Sequence, residues 1–186
     1  MLIEKYTSTW IKDFENLKIQ IENVLFGLNF TIEHVGSTSV PNLDSKPIID
    51  MDIIYTKKID FEKIKAGLLK IRYYHNGNQG IEDREVFKRN GELTFEILDK
   101  IKHHLYVCPV ESAALERHIL SRNFLRNNDW ARVKYQQMKY ELAEQANQDR
   151  KKYAELKEQN VNDFIDYIIE KGKKQTHNSG LSQLRF

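Results

Sequence analysis

The segment that most restricts how this chain can fold is residues 48–55, where apolar and β-branched side chains surround two aspartates at alternate positions, Asp50 and Asp52. Successive side chains of a strand point to opposite faces, so an extended backbone here puts both carboxylates on one face and Ile49, Met51 and Ile53 on the other. The apolar set must be covered by other elements. The acidic pair then stands together on the sheet's second face.

The rest of the chain supplies that cover. Trp10, Phe14, Leu17, Ile21 and Val24 follow helical spacing behind the capping candidates Thr7, Ser8 and Thr9, with Gly27 closing the helix. Residues 30–35 alternate as a strand. Asp60 is a cap candidate for a helix whose buried stripe is Phe61, Ile64, Leu68 and Ile71. Strands are expected at 72–76, 85–90, 93–98 and 103–108, with Asn90-Gly91 as a two-residue hairpin. Helices are expected at about 112–127, 130–145 and 150–171, with Asp129 as a cap and Gly172 as a stop. The pattern predicts an α+β fold: a mixed β-sheet with flanking helices over residues 1–110, and a helical arm over 111–172 closing on the acidic face, the two forming one domain. Residues 173–186 read as a polar, mobile tail.

Between the first two strands, residues 36–47 are rich in Gly, Ser, Thr, Pro, Asn and Asp, which predicts a loop or a short helix starting near Ser37 or Thr38. The turn and the acids are complementary. Two carboxylates are hard oxygen ligands for Mg2+, which binds through one or two carboxylates plus substrate phosphates. Gly36 lets the backbone approach a phosphate closely, and Ser37 and Thr38 offer hydroxyl and N–H donors. Ser37 and Asp50 are separated by twelve residues.

This pattern, a hydrophobic-Gly-Ser turn, a spacer of that length and Asp-hydrophobic-Asp-hydrophobic, resembles the nucleotidyltransferase superfamily. More narrowly, Ile32-Glu33-His34-Val35-Gly36-Ser37-Thr38-Ser39-Val40-Pro41-Asn42-Leu43 followed by Ser45-Lys46-Pro47-Ile48-Ile49-Asp50 resembles the GrpB family, a branch of that fold also found fused to dephospho-CoA kinase. Tyr6 and Trp10, Gly80 and Ile81 ahead of Arg84 and Phe87, His103-His104-Leu105, Phe124-Leu125-Arg126, Tyr135 with Lys139, and Tyr153 with Lys157 extend the likeness from about residue 6 to 169. The resemblance implies a nucleotidyltransferase-like fold. It implies that Gly36, Ser37 and Thr38 hold terminal phosphates, that Asp50 and Asp52 bind Mg2+ or Mn2+, and that Lys46, Arg126, Lys139 and Lys157 contact the anion. Active members of the superfamily usually supply a third carboxylate from a later strand. The corresponding strand reads His104-Leu105-Tyr106 here, which leaves Glu96 as the substitute and His104 as a base or ligand.

Other residues have plainer readings. His34, just before the turn, locks the loop, and His103 faces away from His104 on its strand. Trp130, Tyr135, Tyr140 and Phe164 are packing groups. Lys151 and Lys152 are solvated surface. No Walker lysine motif, zinc-type cysteine pair or nucleophile elbow is present.

Charge excludes a further class. With 29 basic against 27 acidic residues the chain has no general attraction for nucleic acid or membrane surfaces. The distribution is uneven: residues 1–98 carry 13 basic and 15 acidic groups and residues 99–186 carry 16 and 12, so the acid strand favours a cation and the arm an anion. The single cysteine, Cys108, and a start without a long apolar segment lead to an expectation of a cytoplasmic location, and no apolar run approaches the roughly 20 residues of a membrane helix. The expected function is metal-dependent transfer of a nucleotidyl group from a nucleoside triphosphate to a small-molecule or protein acceptor that the sequence does not name. The alternative is a non-catalytic module that keeps the phosphate cradle for a nucleotide or a coenzyme A-like ligand.

Overall fold

The structure is a computed structural model and describes residues 1–90 and 94–178, with side chains to residue 175. Its elements follow in the order α1 (Thr9–Val24), β1 (Thr31–Val35), a single 3-10 turn (Ser37–Ser39), β2 (Ile49–Tyr55), α2 (Lys58–Lys70), β3 (Tyr73–His75), β4 (Glu85–Arg89), α3 (Glu96–Lys100), β5 (His103–Pro109), α4 (Ala113–Asn127), α5 (Asp129–Gln145) and α6 (Arg150–Asn178). The strands form one mixed sheet in the order β1-β2-β5-β4-β3. β2 is interior, antiparallel to β1 and parallel to β5. Among the described residues no helix is long and apolar enough to cross a membrane.

The alternation of β2 divides the two faces as its sequence predicts. Ile49, Met51 and Ile53 are fully buried with Leu105 and Val107 of β5, under Trp10, Phe14, Leu17 and Ile21 of α1 and Ile64 and Leu68 of α2. Each such side chain contributes roughly 1.5–3 kcal/mol on burial, so this face anchors the sheet. On the second face, Val35, Ile54 and Cys108 lie under Leu115 and Ile119 of α4. Ser112 caps α4, its Oγ accepting from the Leu115 N–H at 3.2 Å. A separate core joins α4, α5 and α6 through Phe124, Tyr135, Leu142, Tyr153, Phe164 and Ile168, and Val40 and Leu43 from the loop after the turn are built into it. The arm is therefore fastened to the segment that precedes the acid strand.

Three expectations are corrected. Of the strand expected at 93–98, residue 93 lies outside the described residues and 94–98 are not extended: α3 occupies Glu96–Lys100, because the Asp99 carboxylate accepts from the Phe95 N–H at 2.7 Å and from Arg89 Nε at 2.5 Å, which closes a helical turn around buried Leu98. Gly91 of the expected hairpin lies outside the described residues. The last helix does not stop at Gly172 but runs on to Asn178. A Cβ at Gly172 would stand 3.2 Å from the Phe124 ring, so this glycine lets α6 approach α4 closely. Residues 179–186 of the expected tail lie outside the described residues. Finally, Asn128 rather than Asp129 is the cap position of α5, and Asp129 lies in its first turn.

Candidate functional site

The turn after β1 is built from the inside. Gly36 has φ +69°, in the region that favours glycine. The Thr38 hydroxyl donates to the Ile48 carbonyl at 3.2 Å and accepts from His34 Nε2 at 3.1 Å. His34 stacks on Phe14 with ring centroids 4.6 Å apart, and burial pulls its pKa down to about 4, so it stays neutral and locks the turn. Ser39 Oγ donates to the Gly36 carbonyl at 2.6 Å, while Arg126 donates through Nε and Nη2 to the Ser39 carbonyl at 3.0 and 2.7 Å. Two of the expected phosphate contacts are thereby reassigned. The Thr38 side chain and the Arg126 guanidinium hold the turn, whereas Gly36 and Ser37 line the cleft.

Asp50 and Asp52 share the second face of the sheet, and each carries its own histidine. His104, opposite Asp50 in the β2–β5 register, donates from Nδ1 to Asp50 Oδ1 at 2.8 Å. His118 of α4 donates from Nδ1 to Asp52 Oδ2, also at 2.8 Å. Asp52 is 0 % exposed, and burial raises its pKa above the usual carboxylate range although the His118 hydrogen bond opposes the rise. Its Oδ1 has no hydrogen-bond partner among the described residues. Leaving a buried acceptor unsatisfied costs about 1–3 kcal/mol, and more for a charged group. Beside the pair, Arg122 donates from Nη1 to Glu33 Oε2 at 2.5 Å and to the His34 carbonyl at 2.9 Å, and Arg84 lies over the Tyr106 ring at 4.9 Å.

His118, Arg122 and Glu33 were not singled out from the sequence. Their signal lies in α4, where Leu115, His118, Ile119 and Arg122 recur at the spacing of one buried stripe, so that a histidine and an arginine lie on the side facing the sheet.

Across a cleft of ≈ 490 Å³ between the sheet and the arm stand Lys46, Lys139 and Lys157. Lys46 Nζ sits 4.1 Å from the centroid of the Tyr153 ring, and burial, with Lys157 and Arg150 nearby, lowers its pKa to about 8. Lys139 is 1 % exposed, donates to the Asp44 carbonyl and lies over Tyr135; burial pulls its ammonium well below the ordinary lysine range. Tyr135, then Tyr153 and Asp50, hold the Lys157 pKa above that range against burial. None of the three forms an ion pair with a carboxylate among the described residues. Tyr135 packs as expected but also lines the cleft, and Trp130, though 45 % exposed, packs edge-on against Phe124, Phe164 and Tyr167.

Glu96 does not complete the acidic pair. It lies on α3, exposed, and pairs with Lys100. At the β5 positions opposite Asp50 and Asp52 stand His104 and Tyr106. Among the described residues no three His, Cys, Asp or Glu side chains are grouped to hold a metal by themselves. Of the two carboxylates, Asp50 lines the cleft while Asp52 is fully buried with an oxygen unpartnered among the described residues; such a donor set would suit a hard divalent cation that took its other ligands from water or a phosphate.

A mixed sheet with paired acids on the strand behind a Gly-Ser turn, under a helical arm, is a nucleotidyltransferase-like fold. Cid1 in complex with its short product ApU shares it: 78 % of this chain matches 44 % of that one with a TM-score of 0.54 at 11 % identity. Residues 1–168 match the family model described as GrpB protein, and the chain belongs to the GrpB family. The crystal structure of the conserved protein GrpB from Enterococcus faecalis matches over 93 % of this chain and 98 % of its own, with a TM-score of 0.74 and 27 % identity. The UPF0157 protein YqkA of Bacillus subtilis is 32 % identical over 145 residues, covering 75 % of this chain but only 39 % of the length of that relative.

Proposed function

We propose that the cleft binds a nucleoside triphosphate with Mg2+ or Mn2+ and transfers its nucleotidyl group to an acceptor. One observation carries this reading: Asp50 lines the same cleft as Lys46, Lys139 and Lys157, none of which pairs with a carboxylate among the described residues, and the fully buried Asp52 on the same strand face has an oxygen with no hydrogen-bond partner among them, which joins a candidate cation site to a polyanion site. Asp50 and Asp52 would hold the metal, whose chemistry is to neutralise charge developing on the transferring phosphoryl group. Lys46, Lys139 and Lys157 would take the polyphosphate, with Gly36 and Ser37 admitting it along the turn. Nδ1 of His104 is engaged by Asp50, which leaves Nε2 for the role of base toward an acceptor hydroxyl.

A second reading, a module that binds a nucleotide or a coenzyme A-like ligand without transfer, is favoured by the position of Glu96 and by the His104-Leu105-Tyr106 strand, which supply no third carboxylate. One experiment separates the two. The protein is incubated with Mg2+ and α-labelled nucleoside triphosphates, together with small-molecule and protein fractions of a cell extract, and pyrophosphate and labelled products are followed. Transfer predicts both products, lost in Asp50→Asn. Saturable binding without product supports the second reading, and an absence of binding and product contradicts both.

A further inference from the structure

We propose that His118 is a positioning residue: its Nδ1–H holds Asp52 Oδ2 and so reserves the buried, unpartnered Oδ1 as the metal-ligand oxygen. The inference rests on the metal-nucleotide reading of the cleft and adds a role on α4 that the acidic strand does not reveal. Asp52 is wholly buried, and a carboxylate placed there only to be neutralised would have both oxygens bonded. Only one is. His118 takes Oδ2 at 2.8 Å, while Oδ1 is buried with no donor among the described residues. The imidazole is itself held in place: its ring packs on Tyr106 at 5.7 Å between centroids, and α4 is fixed to the sheet on either side by Leu115 and Ile119 and by the Arg122 contacts to Glu33 and the His34 carbonyl. A partner that fixes one oxygen of a ligating carboxylate sets where the other points, and losing such a partner typically weakens metal affinity about 10–100-fold.

The test measures Mn2+ affinity of the full chain by electron paramagnetic resonance, with the unfolding temperature recorded alongside. His118→Phe keeps a ring against Tyr106 but has no donor, and His118→Asn keeps a donor. The expected result is Mn2+ affinity reduced about 10–100-fold in the Phe variant and largely retained in the Asn variant, whatever their unfolding temperatures. Wild-type affinity in the Phe variant would overturn the role of His118 while leaving the metal site standing. Failure of the wild type to bind Mn2+ would overturn the role and the metal-nucleotide reading together. If the Phe variant does not fold, 15N spectra of the wild-type imidazoles decide. His118 Nδ1 must remain protonated and hydrogen-bonded when Mg2+ is added, and a loss of that proton would overturn the role.

Discussion

The Asp50 carboxylate lies directly against the Cα of Gly36: a Cβ built on this glycine would stand 2.2 Å from Asp50 Oδ2. The turn and the acid strand are thus one device, since the residue that admits a ligand to the turn also gives the carboxylate its place. Gly36→Ala meets both the Asp50 side chain and an unfavourable φ of +69°. It should destabilise the fold by about 1–3 kcal/mol, measured by urea denaturation, and displace Asp50 so that metal binding falls as well. Unchanged stability and affinity would show that the turn relaxes freely.

Asp52 is held at a cost to the fold. Because burial raises its pKa, the unfolded chain gives up this proton at lower pH than the folded one. The favourable contribution is complete below the unfolded value near 3.8 and is lost as pH rises through the folded value. At neutral pH Asp52→Asn should therefore unfold a few degrees higher than the wild type, the shift that about 1 kcal/mol produces in a chain of this size. The difference should vanish toward pH 3, and nucleotidyl transfer should be lost. Thermal melts across pH 3–8 check the sign.

Lys46 makes polyphosphate affinity depend on pH. Its pKa of about 8 in the free protein means that the ammonium needed for an anion is lost as pH rises through that value. Nucleotide affinity by calorimetry should decline by up to about tenfold per pH unit above 8. Lys46→Arg, charged throughout that range, should lack this decline.

Lys139 shows the same conflict from the basic side. Folded, its pKa lies well below 10.5, so between the two values the unfolded chain binds more protons and stability rises with pH. Lys139→Met loses a hydrogen bond to the Asp44 carbonyl, worth about 1 kcal/mol, but removes a buried cation with no carboxylate partner among the described residues, which costs several. The variant should melt higher than the wild type at pH 7 and bind nucleoside triphosphate at least tenfold more weakly. A lower melting temperature with intact binding would identify Lys139 as a structural cation.

What could be read in advance followed from short-range pattern. The period-two alternation of β2 put Asp50 and Asp52 on one face, the Gly-Ser turn brought Gly36 and Ser37 to the cleft, and the apolar stripes of α1 and α2 located the main core. Long-range partners decided the rest. Phe95 and Ile97 continue an alternation that reads like a strand, yet Arg89 and Asp99 close a helix over Glu96–Lys100. Arg126 stands beside an aromatic residue like a pocket cation, but its guanidinium is used by a carbonyl in a loop 87 residues earlier. His118 lies on a helix whose stripe is mostly apolar, and nothing local shows that this stripe crosses above Asp52.

The most direct test of the account is thermal unfolding of the wild type, Asp50→Asn and Lys157→Met with a nucleoside triphosphate, with and without Mg2+. A ligand bound only by the folded state raises its stability, by about 2.7 kcal/mol at one hundred times Kd. The account predicts a rise of several degrees in the wild type that needs both nucleotide and Mg2+ and is largely absent in each variant. An equal rise in all three proteins, or none in the wild type at millimolar nucleotide, would contradict it.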